Sequence, residues 1–117
     1  FFFAGYVADE DLPKLFARSE ALVFPSLDEG FGLPVIEAQL GGSIPICSNQ
    51  GAIREVAGSG AIKVDVTSAD DVARGMLKAL EPLDREKDLA DNETFAKSFT
   101  WERCAQETLK ALRRAAK

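Results

Sequence analysis

The stretch Glu29-Gly30-Phe31-Gly32-Leu33-Pro34-Val35-Ile36-Glu37 constrains the fold more than any other part of the chain. An apolar run, Ala21 to Pro25, precedes it and reads as a short buried strand. Ile36, Ala38 and Leu40 follow at near-helical spacing and stop at Gly41-Gly42. The unit is therefore a strand, a glycine-bearing loop and a helix opening at Pro34. Proline suits the first helical position, because its φ is already set and its missing N–H has no partner there. Leu33 cannot cap the free N–H groups of the first turn. The other expected helix starts carry capping candidates: Asp9 or Asp11, Thr67 or Ser68, Asp84, and Thr100. A helix entered through two glycines without a side-chain cap suits an anion supplied from outside.

Around this unit the chain alternates. Phe1 to Val7 is apolar and aromatic and reads as a strand. Asp9-Glu10-Asp11 then opens a helix to about Ser19, with Leu12, Leu15 and Phe16 as its apolar stripe and Pro13 in its first turn. After the central unit, Ile44 to Ser48 is a β-branched run with Pro45 near its start. Asn49-Gln50-Gly51 turns into a short helix around Ile53, Val56 and Ala57. Gly58-Ser59-Gly60 ends that helix, and Ala61 to Val66 reads as the last strand. Ser68-Ala-Asp-Asp71 resembles a capping box opening a helix with Val72, Met76 and Leu80 inward. A composition shift at Glu81-Pro82 leaves only helices beyond it, about 85–98 and 101–115, the last with Trp101, Ala105, Leu109 and Leu112 inward. Such alternation predicts an α/β domain: a partial Rossmann-like three-layer α/β/α arrangement, a parallel sheet of about four strands, and C-terminal helices. Ligands of open parallel sheets bind beyond the carboxyl ends of the strands. Tyr6-Val7-Ala8, Ser26 to Gly32 and Asn49 to Gly51 all fall on that edge.

Composition narrows the classes of function. At 117 residues the chain is one domain at most. Its 14 Lys and Arg against 19 Asp and Glu give a net charge of −5, which argues against nucleic acid as a partner. No apolar run approaches the roughly 20 residues of a membrane span, and no signal-peptide pattern opens the chain. Cys47 and Cys104 read as buried thiols in a reducing compartment rather than a disulfide framework. Histidine is absent, which removes imidazole catalysis and the commonest metal ligand.

The residues themselves carry a resemblance. Glu29-x7-Glu37 around Gly-Phe-Gly-Leu-Pro, followed by Ala38 and the Gly-x-x-Pro-x step from Gly42 to Ile46, resembles the GT4-type (group 1) retaining glycosyltransferases. The likeness is to the C-terminal, donor-binding half of their two-domain GT-B fold. It runs on through Gly5-Tyr-Val, Asp11-Leu12-Pro13-Lys14-Leu15-Phe16, Phe24-Pro25-Ser26, Arg54-Glu55-Val56, the strand ending at Asp65, and Phe99-Thr100-Trp101-Glu102.

The resemblance implies that the donor is a nucleotide diphosphate sugar, a UDP- or GDP-sugar. Glu29 corresponds to the catalytic-site carboxylate that holds the sugar, with the Phe31 and Gly32 amides on neighbouring hydroxyls. Amides around Gly32, Leu33 and Val35 reach the diphosphate, approached closely because Gly30 and Gly32 lack side chains. Glu37 accepts hydrogen bonds from the ribose, and Tyr6 and Val7 line the base pocket. No metal or other cofactor is implied. The acceptor, whether a sugar, a lipid-linked glycan or a small molecule, is left open. So are two plainer readings: Glu37 as an acid favoured by the helix dipole, and Glu29, beside Asp28, as a solvated loop acid. Ser26 reads as a strand-end hydroxyl bonded to local backbone. Asn49 and Gln50 read as turn residues or as acceptor or phosphate contacts. Glu55 reads as fixing its short helix, Trp101 as core, and Arg54 as a surface residue.

The family's diphosphate-neutralising Arg/Lys pair and its N-terminal acceptor domain have no counterpart here. Residues 1–117 therefore read as a truncated donor domain of a cytoplasmic protein, whose parent could lie at the inner face of the membrane. A helix N-terminus supplies only about 0.3–1 kcal/mol toward an exposed anion. Micromolar affinity needs roughly 8 kcal/mol. Weak donor binding, no turnover and self-association through bared surfaces are the expectations for these residues alone. The alternative class is a non-catalytic α/β nucleotide-binding or interaction module that keeps the motif for structure.

Overall fold

The computed structural model describes residues 1–81 and 84–117. Its elements in chain order are α1 (Leu12–Arg18), β1 (Ala21–Phe24), α2 (Leu33–Gly41), β2 (Ile44–Cys47), α3 (Gly51–Val56), β3 (Ile62–Lys63), α4 (Ala69–Ala79), α5 (Arg85–Ala96) and α6 (Trp101–Ala115). The strands form one parallel sheet in the order β1-β2-β3. In register, Val23 faces Ile46 and Phe24 faces Cys47, while Ile46 faces Ile62 and Cys47 faces Lys63. All four residues of β2 are buried, as a central parallel strand covered on both faces requires. Pro45 is tolerated there because the bond to the β1 side is made by its neighbour, Ile44 N–H to Glu20 O, and the pairing with β3 begins only at Ile46, one residue beyond it.

Strand alternation separates the core into two layers. Cys47 and Phe24 point to one face, where Val35 and Ile36 of α2, Ile53 and Val56 of α3, and Ala96 of α5 close over them. Ile46 and Ile62 point to the other, against Val72 and Ala79 of α4. Helix α1 lies on α2, with Phe16 packed against Gly41 so closely that a Cβ there would collide with it. Arg85 joins the layers, donating to Ala79 O at 2.9 Å and Glu20 O at 3.0 Å and pairing with the Glu20 carboxylate at 2.8 Å.

The α/β/α arrangement agrees with the pattern of the sequence, and several details do not. Phe1 to Val7 forms no strand: Phe1, Phe2 and Phe3 are exposed, and the chain enters α1 through a turn closed by Asp11 N–H on Ala8 O. An apolar run becomes a strand only beside a strand to pair with, and among the described residues none lies next to it. The sheet accordingly has three strands rather than about four, and β3 is two residues long rather than six.

Helix α2 begins at Leu33, so Pro34 is second in the helix. On α4 the buried residues are Gly75 and Ala79, with Val72 half-buried; Met76 and Leu80 are exposed. The helix sits so close that a Cβ on Gly75 would lie 2.8 Å from Val64 Cγ1 and 2.9 Å from Ile46 Cγ2, which draws the small residues inward instead of the large ones. No residue of α6 is buried. Trp101 is 87% exposed, Leu109 and Leu112 face solvent, and Cys104 is an exposed free thiol, because no other element among the described residues covers this helix. Leu15 of α1 is likewise exposed, while Leu12 and Phe16 turn toward α2. The composition shift at Glu81-Pro82 falls partly on 82–83, outside the described residues. Among the described residues no helix is long and apolar enough to cross a membrane.

Candidate functional site

Two loops meet at the carboxyl ends of the strands: residues 25–32 after β1 and residues 48–50 after β2. A Cβ on Gly51 would lie 3.9 Å from Asp28 Oδ1, which sets the two loops side by side. In the first loop Ser26 Oγ lies 2.8 Å from Glu29 Oε1 and 3.1 Å from Asp28 O. The hydroxyl so orients the half-buried carboxylate of Glu29 while also bonding local backbone. Gly30 is exposed. Phe31 is 46% exposed and packs edge-on against Phe99, with ring centroids 6.1 Å apart.

Gly32 ends the loop with φ of 94°, a left-handed conformation that favours glycine. It is buried, and a Cβ on it would lie 2.7 Å from Ile53 Cδ1 and 3.2 Å from Val56 Cγ2. The glycine is therefore required by packing on α3, whatever else the loop holds. Beyond it, α2 starts without a side-chain cap. The expected contrast with other helices is weaker than the sequence suggests, because only α4 and α6 are capped as predicted, by Ser68 accepting from Asp71 N–H and Thr100 accepting from Arg103 N–H. Asp11 and Asp84 make no such bond.

Of the amides assigned to an anion, that of Val35 is already used: it donates to Gly32 O at 3.0 Å, the tight first turn imposed by the left-handed entry, and its side chain is fully buried. Val35 is removed from the anion-binding set. Pro34 has no N–H. The N–H groups of Gly32 and Leu33 donate to no backbone carbonyl among the described residues.

Glu37 is exposed on the second turn of α2. It borders a hollow of about 240 Å³ together with Asp9 at the entry to α1 and Leu12, Pro13 and Phe16 of that helix. Val7, half-buried, and Tyr6, exposed, lie on the chain just before this hollow. Gly30 and Phe31 border a different and larger groove of about 550 Å³, with Glu55 and Val56 of α3, Phe95 of α5, Ser98, Phe99, and Arg103 of α6. Within the Glu29-x7-Glu37 motif, Glu37 and the Gly30–Phe31 pair thus border different concavities, and Glu29 lines neither of them. Asn49 and Gln50 are exposed beyond β2, and Ser48 is buried with no hydrogen-bond partner for its hydroxyl among the described residues.

Sequence reasoning missed two things. One is Gln39, buried in α2, whose Nε2 donates to Val56 O at 3.0 Å and whose Oε1 accepts from Gly58 N–H at 2.6 Å; a polar residue among the apolar positions of a short helix was its signal. The other is the gathering of Phe95, Phe99 and Arg103 beside Phe31, for which local pattern holds no signal.

Burial pushes the Cys47 thiol up, with Lys63 opposing, and the same desolvation pushes Lys63 down. The polar hollow at the start of α4 satisfies itself: Asp71 accepts from Asp65 N–H at 2.6 Å and pairs with Arg74, and Asp65 accepts from the Thr67 hydroxyl at 2.6 Å.

A family model described as "Glycosyl transferases group 1" matches residues 1–94. O-antigen chain mannosyltransferase B of Escherichia coli is 39% identical over 110 residues, which are 93% of this chain and 29% of that protein. The MMP alpha-(1->4)-mannosyltransferase of Mycolicibacterium hassiacum is 36% identical over 114 residues, covering 93% of this chain and 28% of its own length. The solved structure of sucrose-phosphate synthase from Thermosynechococcus elongatus matches with a TM-score of 0.82 at 25% identity, over 99% of this chain and 31% of that one. The chain therefore spans less than a third of the length of each of these relatives.

Proposed function

The chain belongs to the group 1 glycosyl transferases, and from that premise we propose that it is part of the donor-binding half of a retaining enzyme that transfers a sugar from a nucleotide diphosphate sugar. The observation that carries this is local. The uncapped start of α2 leaves the Gly32 and Leu33 amides without backbone acceptors among the described residues, a few positions after a carboxylate, Glu29, that the Ser26 hydroxyl holds in place. Backbone N–H groups at a helix start favour a diphosphate, and a fixed carboxylate accepts sugar hydroxyls. Glu29 holds the transferred sugar, and the Gly32 and Leu33 amides receive the diphosphate. Glu37, in the hollow beside α1, takes the ribose diol, with Tyr6 and Val7 near the base. The relatives named as mannosyltransferases support a mannosyl donor such as GDP-mannose over UDP-glucose. No metal is needed where amides and the helix dipole meet the phosphates.

The remaining cationic groups and the acceptor domain belong to the rest of the full-length protein. The 117 residues alone bind donor weaker than micromolar, and calorimetry on them checks this.

Glu29→Gln and Glu37→Ala in the full-length protein test the reading. Each lowers transfer from GDP-mannose by about 100-fold or more while the folded circular dichroism spectrum persists, in line with loss of charged hydrogen bonds made in the transition state. Full transfer activity in both variants would leave the motif a structural feature and the chain an interaction module. Gly32 cannot discriminate the two, because its packing on Ile53 and Val56 accounts for it without any ligand.

A further inference from the structure

We propose that Ser26 is a positioning residue for sugar transfer: its hydroxyl sets the Glu29 carboxylate for the sugar and itself touches no substrate. This rests on the donor reading above and adds to it the group that makes its carboxylate effective. Ser26 lies two residues beyond the last residue of β1, Phe24, which packs on the core at the α2 face of the sheet. Pro25 between them has a fixed φ, so the direction in which the chain leaves the strand is restricted. Ser26 is half-buried, whereas Leu27, Asp28 and Gly30 are exposed. Glu29 is half-buried in the midst of those exposed residues, and the side-chain hydrogen bond it makes among the described residues is the one from Ser26. The carboxylate is thereby tied to the end of the sheet rather than to its own loop.

The chemistry of this bond fits a carboxylate kept ready for hydroxyls. Ser26 Oγ lies 2.8 Å from Glu29 Oε1 and 3.1 Å from Asp28 O, and its single hydrogen favours the shorter, charged acceptor. A hydroxyl that only closed the turn would be satisfied by Asp28 O, so the shorter bond is the one a purely structural role does not require. With Oε1 held, Oε2 is left to accept from a ligand. Glu29 enters no ion pair among the described residues. A cationic side chain in place of the hydroxyl would hold the carboxylate equally well but would cancel the charge that attracts sugar hydroxyls. Serine fixes the group without neutralising it. Its hydrogen is used inside the loop, so Ser26 acts through Glu29. Ordering that side chain before the sugar arrives removes an entropic cost from the reacting complex.

Transfer from GDP-mannose by the full-length protein, with GDP binding measured by calorimetry, tests the assignment. Ser26→Ala lowers kcat by about tenfold or more, as expected for one hydrogen bond to a charged group, and leaves the Kd for GDP, which lacks the sugar, unchanged. Ser26→Thr, which keeps the hydroxyl, brings kcat back near that of the unaltered protein. In the Glu29→Gln background Ser26→Ala causes little further loss, because a residue acting through another is not additive with it. An unchanged kcat in Ser26→Ala beside an inactive Glu29→Gln overturns the proposal and leaves the donor reading intact. Losses that multiply in the double variant overturn it by separating Ser26 from Glu29, and a parallel loss of GDP affinity overturns it by making the serine structural. Full transfer by Glu29→Gln alone removes the donor reading, and the proposal with it.

Discussion

Helices α2 and α6 show two ways in which apolar residues on a helix can be used. Helix α2 has apolar or small residues on most sides, and the protein closes over its middle: Val35, Ile36, Ala38 and even the polar Gln39 are buried, while Leu33 and Leu40 at its two ends stay exposed. Helix α6 separates its faces sharply, with Trp101, Ala105, Leu109 and Leu112 along one side and Glu102, Arg103, Lys110 and Arg113 elsewhere, yet no residue of it is buried. An amphipathic stripe reports that a helix is fitted for a partner surface. Burial reports that the surface is there. In α2 stability and site construction are the same matter, since the residues that pack the helix also set its first turn. In α6 they are separate: the helix contributes Arg103 to a groove through its capped first turn, while its apolar face stabilises nothing within the described residues.

The contrast can be broken by substitution. Gly32→Ala should have the largest effect, combining a left-handed φ of 94° with a Cβ driven into Ile53 and Val56; a loss of about 2–5 kcal/mol in urea unfolding of the chain follows from the two costs together. A loss below about 1 kcal/mol would show that α2 and α3 can move apart freely. Gln39→Leu should come next, at about 1–3 kcal/mol in the same measurement, because it strands Gly58 N–H and Val56 O in the interior. By contrast, Leu109→Ala and Leu112→Ala in α6 should each change the stability of the 117-residue chain by less than about 0.5 kcal/mol. A cost near that of Gly32→Ala would mean that the face is covered in solution, for instance by a second copy, and sedimentation would then show the dimer.

The smallest effect concerns pH. The Thr67 hydroxyl first, and then the Thr67 N–H, hold the Asp65 carboxyl below its ordinary value of 3.8. Its contribution is complete above that value and is lost as pH falls through the lower folded value, so Asp65→Asn should lower stability slightly at neutral pH, with the difference from the unaltered chain shrinking as pH falls below about 4. A stability difference that instead grows as pH falls would reverse the sign.

Much of the fold is legible along the chain. The run at 44–47 is apolar throughout because the strand it forms is covered on both faces, the run at 21–24 forms the strand beside it with Val23 left exposed, and Ser68 and Thr100 cap the helices expected of them. What was misread shares one cause. Phe1 to Val7, the Met76 and Leu80 side of α4, and Trp101 are apolar in a regular pattern, and the pattern was taken for burial. Likewise Gly32 reads in sequence as room for a ligand and proves in space to be room for Ile53. Val35 reads as a free amide and proves to be spent on Gly32 O.

By itself, then, the sequence determined the order of strands and helices, the glycine-loop entry to α2 and the family motif from Glu29 to Glu37, since each depends on residues within a turn or two of one another. Only the tertiary structure decided which helical faces are covered, which amide of the α2 entry is already bonded, and that Phe31, Glu55, Phe95 and Arg103 share one groove. Those outcomes depend on how closely separate elements approach across the sheet, a distance set by side chains far apart in the chain and written in no local pattern.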